Sequence, residues 1–190
     1  MAKYQDPAVK VTDPAVALQL LKDGNARFVA NGLVPTDHPD ALKKTGEQQS
    51  PFASILTCAD SRCSPEIYFD QGIGNIFVVR NAGNFADREA IASFQFAENV
   101  LGSQIIVVVG HTQCGAIKNA HAGTRTTLPE LDGVLIDLEP IVKGAADWEK
   151  DGVPANVKAQ VEALKKSPGI KPENVHGAVY CVASGKITWL

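Results

Sequence analysis

Three short apolar runs dominate the middle of this chain: Phe52 to Thr57, Ile76 to Val79 and Ile105 to Val109. Each is rich in β-branched residues and is stopped by polar residues or glycine, the pattern of strands buried on both faces. Between the second and third, Arg88 to Leu101 sets Ile91, Phe94, Ala97 and Leu101 on one helical face. A strand, helix, strand order returns the chain in its original direction, so parallel pairing is predicted.

The flanks are more helical. Asp13-Pro14 supplies a capping acid and a proline at the first helical position, and Val16, Leu20, Leu21 and Phe28 follow at helical spacing to about Ala30. Residues 31–50, richer in Gly, Pro, Asp and Lys, are expected to wrap the surface with one short helix near Ala41 to Lys44. Leu131 to Trp148 and Asn156 to Lys165 carry helical periodicity, and Ser167-Pro168-Gly169 ends the second. Gly177 to Val182 and Ile187 to Leu190 flank Ser184-Gly185 as a final hairpin. At 190 residues, 45% of them hydrophobic, the chain suits one domain. The fold class is α/β: a mostly parallel sheet flanked by helices, with a C-terminal hairpin or antiparallel edge strand. Residues 1–50 form an N-terminal helical arm and 51–190 the core that carries the chemistry.

A net charge of -3 and the lack of any long run of like charges leave no basic face for nucleic acid. The opening MAKYQDPAVK has no apolar signal region, and the longest apolar stretches are too short to cross a bilayer. A soluble, cytoplasmic protein with no membrane partner is expected. Four unevenly spaced cysteines do not resemble a disulfide framework and point to metal binding or reactivity.

Cys58-Ala59-Asp60-Ser61-Arg62 and His111-Thr112-Gln113-Cys114-Gly115 each follow a predicted strand directly. Ligands of open α/β sheets bind at the carboxyl ends of strands, so two thiols and an imidazole meet in one crevice. Two thiolates and one imidazole hold a tetrahedral zinc by three protein ligands and leave the fourth position open, as catalytic sites do. The soft donors favour zinc over magnesium or calcium, although iron or cobalt accept the same set. If the chain stays extended beyond Cys58, then Cys58, Asp60 and Arg62 share one side and Ala59, Ser61 and Cys63 the other. Asp60 can then accept a hydrogen bond from water at the metal while Arg62 forks it.

Rival readings use the same residues. Cys63 added to Cys58, His111 and Cys114 would close a structural zinc site, which Cys63→Ala would empty. Gln113-Cys114-Gly115 faintly resembles a thiol-nucleophile context but lacks the Cys-Trp element that follows it there. Gly72-x-Gly74 is a turn before the second strand, not a dinucleotide fingerprint.

C-A-D-S-R at Cys58, F-V-V-R-N-A-G-N from Phe77 to Asn84 and G-H-T-Q-C-G-A from Gly110 to Ala116 together resemble the β-carbonic anhydrase family. The likeness extends to Leu18 to Ala30, to Asn156 to Pro168 and to the terminal G-x-V-Y and S-G-K-I. It implies a zinc enzyme that reversibly hydrates carbon dioxide to bicarbonate and a proton, with zinc-held hydroxide as nucleophile. It also implies a homodimer or higher homo-oligomer. Cys58, His111 and Cys114 match the zinc ligands and Asp60 with Arg62 the catalytic dyad, Asp60 becoming a fourth ligand in some closed forms. Gln49 matches a donor to substrate or bicarbonate and Gly115 a backbone position in the pocket. Phe77, Ala82 and Phe96 match apolar pocket positions, some contributed by the partner subunit, with Phe96 where a tyrosine is common. Ile55 stands where a non-catalytic bicarbonate site needs tryptophan, so no such site is expected, and Cys63 and Cys181 inherit no role. Some relatives hydrolyse carbon disulfide or carbonyl sulfide with matching ligands, which is the alternative activity. Of the proton-shuttle candidates, His38, His121 and His176, none stands out from a surface or structural histidine.

Overall fold

A computed structural model of the chain describes residues 5–190, so the first four residues of the N-terminal arm lie outside it. The arm begins with helix α1, Pro14–Val29, which Asp13 caps by accepting from the Ala15 N–H at 2.8 Å. The short helix α2 spans His38–Thr45. Val16 does not belong to the inward face of α1, which is instead lined by Ala17, Leu21, Gly24 and Asn25. Gly24 carries no side chain because the helix sits hard against the chain at Phe69: a Cβ there would lie 1.7 Å from the Phe69 carbonyl oxygen.

The sheet alternates with helices: β1 Ala53–Cys58, α3 Pro65–Tyr68, β2 Ile76–Asn81, α4 Arg88–Phe96 and β3 Ile105–His111. Then follow α5 Gly115–His121, α6 Pro129–Val142, α7 Val153–Lys165, β4 Val175–Tyr180 and β5 Ile187–Trp189. The strand order is β2-β1-β3-β4-β5, the first four parallel and β5 antiparallel to β4. The parallel direction and the closing hairpin are as expected from sequence. Neighbourhood is not: β2 and β3 both pair with β1 rather than with each other. A helical crossover fixes direction, but burial decides who sits in the middle, and β1 and β3 are buried at every residue.

One face of the sheet packs with α1 and α3 through Leu21, Tyr68 and Phe69. The other packs with α4 and α7 through Phe94, Val157 and Leu164. Asn25, 6% exposed, stitches α1 to the closing hairpin, donating to the Tyr68 and Gly185 carbonyls and accepting from the Ile187 N–H. The expected helix to Leu101 stops as an α-helix at Phe96 and finishes as a wider π turn, Ala97–Leu101, ended by Gly102 at φ +79°. The expected Leu131 to Trp148 helix likewise divides: α6 ends at Val142, and Asp147 caps a separate turn, Trp148–Gly152.

Candidate metal centre

Cys58 and His111 are the last residues of adjacent parallel strands, and the ladder, which pairs Thr57 with Val109, brings them within one residue of level. Cys114 caps the start of α5, three residues further on. The ligand atoms of Cys58, His111 and Cys114 lie within 4.8 Å of one another, and all three residues are buried. Around a tetrahedral ion with bonds of about 2.0–2.3 Å, ligand atoms stand about 3.5–3.8 Å apart, so the cluster closes on such an ion with little movement. Among the described residues Cys63 does not join it.

The histidine is set for this task. Its Nδ1–H donates to the Thr112 carbonyl at 2.9 Å, which leaves Nε2 as the free ring nitrogen. Nε2 is buried without a hydrogen-bond partner, a costly arrangement that a metal ion would relieve. Cys58 is held down to about 4 by the Cys114 thiol, His111 and the backbone N–H groups of Asp60 and Gly83, against the effect of burial. Hydrogen bonding to Cys58 and burial push Cys114 well above the ordinary thiol range. Burial pulls His111 down, but the Cys58 and Cys63 sulfurs outweigh it and raise the imidazole to about 10. The cluster thus holds protons that a dication would displace.

Asp60 and Arg62 meet as expected, though not by an extended chain. The Cys63 N–H donates to the Asp60 carbonyl at 2.9 Å, closing a turn that sends Cys63 into the core, fully buried. Arg62 Nε donates to Asp60 Oδ1 at 2.9 Å and Nη2 to Oδ2 at 2.7 Å, while the Arg62 N–H also reaches Oδ1 at 2.9 Å. The Arg62 guanidinium keeps the Asp60 carboxyl well below the usual carboxylate range.

Cys58 and Asp60 open onto a cavity of about 350 Å³ whose walls are mostly apolar: Ala59, Ala82, Ala116, Leu131 and Leu135, with Gly115, Asn119 and Thr126 completing it. A larger cavity of about 610 Å³ beside α7 and β4 contains none of the cluster. Of the five expected pocket residues, Ala82 and Gly115 line the cavity beside the Cys58 cluster. Gln49 lines a different one, with Thr45 and Gly74, Phe77 is half-buried in β2, and Phe96 is 47% exposed at the end of α4. His38, His121 and His176 do not line it either, and His121 Nε2 is engaged with the Ala145 carbonyl at 3.0 Å.

Several supporting residues carried no clear sequence signal. Arg80 donates to the Cys58 carbonyl at 3.2 Å and the Asp60 carbonyl at 2.7 Å, clamping the turn that carries the dyad. Asn156, buried on α7, donates to the Gly83 carbonyl at 2.9 Å and so holds the loop whose N–H faces Cys58. Arg80 lies inside F-V-V-R-N-A-G-N, but only the fold reveals which carbonyls it reaches. Leu131 and Leu135, one turn apart on α6, show in the sequence only as part of a helical period.

The family model described as carbonic anhydrase matches residues 53–187. A carbonic anhydrase of Mycolicibacterium smegmatis is 44% identical over 108 residues, 56% of this chain and 52% of that protein. Carbonic anhydrase 2 of Mycobacterium tuberculosis is 44% identical over 120 residues, 62% of this chain and 58% of its own length. The chain therefore spans little more than half the length of these relatives. The crystal structure of a β-carbonic anhydrase from Aspergillus fumigatus superposes with a TM-score of 0.68 at 27% identity, covering 93% of this chain and 89% of that one.

Proposed function

Because the chain belongs to the carbonic anhydrase family, in its β class, we propose that it binds zinc through Cys58, His111 and Cys114 and reversibly hydrates carbon dioxide to bicarbonate and a proton. The observation that carries this reading is a three-ligand cluster opening, beside a forked Asp60, onto a small apolar cavity. Three ligands leave a coordination position free, which argues against a closed structural zinc. Bound there, zinc supplies a Lewis acid that ionises water near neutral pH.

The chain's own groups do the rest. Asp60 stays ionised because Arg62 occupies both its oxygens, and the carboxylate accepts a hydrogen bond from the attacking oxygen and orients it. With both oxygens so engaged, Asp60 serves the dyad rather than the metal. Ala59, Ala82, Ala116 and Leu135 offer a neutral, apolar substrate a dry wall, and the backbone at Gly115 lies in the same cavity.

Gln49, Phe77 and Phe96 contribute to the site across a homodimer interface. Supporting this, β2 is the sheet's edge, its Ile76, Phe77, Val78 and Val79 are only half-buried, and Phe96 is exposed. Sedimentation of the wild type as a monomer would end that reading. No described helix is long and apolar enough to cross a membrane. Free, mostly buried cysteines suit the reducing cytoplasm as the compartment.

Stopped-flow hydration with a pH indicator, on protein whose zinc content is measured in the same preparation, tests the whole. Fast hydration at about one zinc per chain is the expected result. Full zinc with no hydration from pH 7 to 9 would overturn it in favour of a closed site or a sulfur-containing substrate such as carbonyl sulfide.

A further inference from the structure

We propose that Glu149 is a positioning residue for the metal centre, acting through Gln113. Gln113 lies between the ligands His111 and Cys114 and takes a left-handed backbone at φ +58°, a conformation that side chains other than glycine adopt only when held. Glu149 holds it from both ends: the Gln113 N–H donates to Oε1 at 3.2 Å and the Gln113 side-chain amide to Oε2 at 2.7 Å. The turn that carries Glu149 is itself fixed, because Asp147 accepts from the Glu149 and Lys150 N–H groups at 2.8 Å each. On its other side the Gln113 carbonyl accepts from Arg62 Nη2 at 3.4 Å. One strained residue is thereby tied to the Cys114 ligand and to the dyad arginine.

The consequence is a division of labour. His111 is placed by the β3 ladder, whereas Cys114 lies beyond it and depends on the turn that Glu149 stabilises. Without the clamp, Gln113 relaxes toward negative φ and swings the Cys114 sulfur away from the cluster. This rests on the zinc assignment of the preceding subsection and extends it to a residue outside the ligand set.

The test follows chelator-driven zinc release from the loaded protein, with thermal unfolding and the thiolate-to-metal charge-transfer band of the cobalt-substituted form measured alongside. Glu149→Ala is expected to speed release by about 10-fold or more, as loss of an outer hydrogen-bond partner does at such sites, and to alter the cobalt band. Glu149→Gln, whose oxygen still accepts from the Gln113 N–H and whose NH2 donates to the Gln113 side-chain oxygen once that amide turns over, restores slow release. In a Gln113→Gly background the Glu149→Ala effect shrinks to less than about 3-fold, since glycine adopts positive φ unaided.

Release from Glu149→Ala at the wild-type rate, or an undiminished effect in the glycine background, overturns the proposal. So does a fall in melting temperature with release and cobalt band unchanged, which is what a merely structural role gives. A wild type that takes up no zinc would instead defeat the metal assignment itself. If Glu149→Ala does not fold, Gln113→Ala, which loses the amide that Glu149 holds, decides in its place: faster release with an altered cobalt band supports the clamp, and release at the wild-type rate overturns it.

Discussion

Asp60→Asn is the substitution that separates catalysis from metal binding. Asparagine keeps an oxygen at Oδ1 for Arg62 Nε and N–H, 2.9 Å away, but sets an NH2 against Arg62 Nη2 where the wild type has a 2.7 Å bond to Oδ2. Two donors then face each other and the fork opens. A hydrogen bond to a charged group is worth about 1.5–3 kcal/mol. If Asp60 gives that much to the transition state, hydration falls by about 10- to 150-fold. Folding should hardly notice, because Arg62 is 48% exposed and solvent screens the pair. An exposed ion pair contributes about 0.2–1 kcal/mol, or less than about 4 °C in melting temperature for a chain of this size. Stopped-flow hydration, zinc analysis and a thermal melt on one preparation read all three quantities. Hydration at the wild-type rate would refute the dyad, and loss of zinc would mean that Asp60 works through the ligand set.

Cys114→Ser is expected to lose zinc and activity together, while Cys63→Ala keeps both, because the Cys63 sulfur lies outside the ligand cluster; zinc analysis of the two proteins checks this. Zinc uptake by the metal-free chain at pH 7 should release about two protons. Cys58, held down to about 4, is already a thiolate, whereas His111, raised to about 10, and Cys114, pushed above the usual range, still carry theirs. Affinity therefore falls as pH falls, and calorimetry in two buffers of different ionisation enthalpy counts the protons; a count of three would mean that Cys58 is not the thiolate. Asn25→Ala strands the Tyr68 and Gly185 carbonyls and the Ile187 N–H, at about 1 kcal/mol each, so about 3 kcal/mol of stability should disappear from urea unfolding. An unchanged urea midpoint would show that α1 is not tied to the sheet through this residue.

What the sequence reveals follows from where periodicity carries meaning. β1 and β3 stand out because burial on both faces demands an unbroken apolar run, and α1 because Asp13-Pro14 announces its start. The candidate ligands could be found since Cys58 and His111 end such runs. Sheet order was hidden, as strand direction is local but adjacency is settled by competition for the centre. Helix α5, seven residues long, shows no legible amphipathic period, and α3 is a single turn. The extended reading beyond Cys58 failed because a short aspartate side chain bonds its own backbone two residues on, at the Arg62 N–H, and turns the chain. Contacts such as Arg80 to the Asp60 carbonyl or Glu149 to Gln113 join distant positions with no recurring pattern, so only the folded chain displays them.

The placement of these contacts has a physical logic. Cys58 and His111 are fixed chiefly by ladder pairing, Cys58 opposite Asn81 and His111 opposite Tyr180. Asp60 and Cys114 lie just beyond the ladder, where inter-strand hydrogen bonds end and local turns begin. At those two points side chains from elsewhere in the fold take over: Arg80 grips the carbonyls of Cys58 and Asp60, and Glu149 grips Gln113. Arg62 bridges the two turns by reaching the Gln113 carbonyl, so a shift in either is felt by the other. Substitutions inside β1 or β3 should therefore act first on stability, through lost packing. Substitutions of the outlying grips should act first on metal retention and rate, with the melting temperature nearly unchanged. The rigid sheet sets the site's location, and a few long side chains set its geometry.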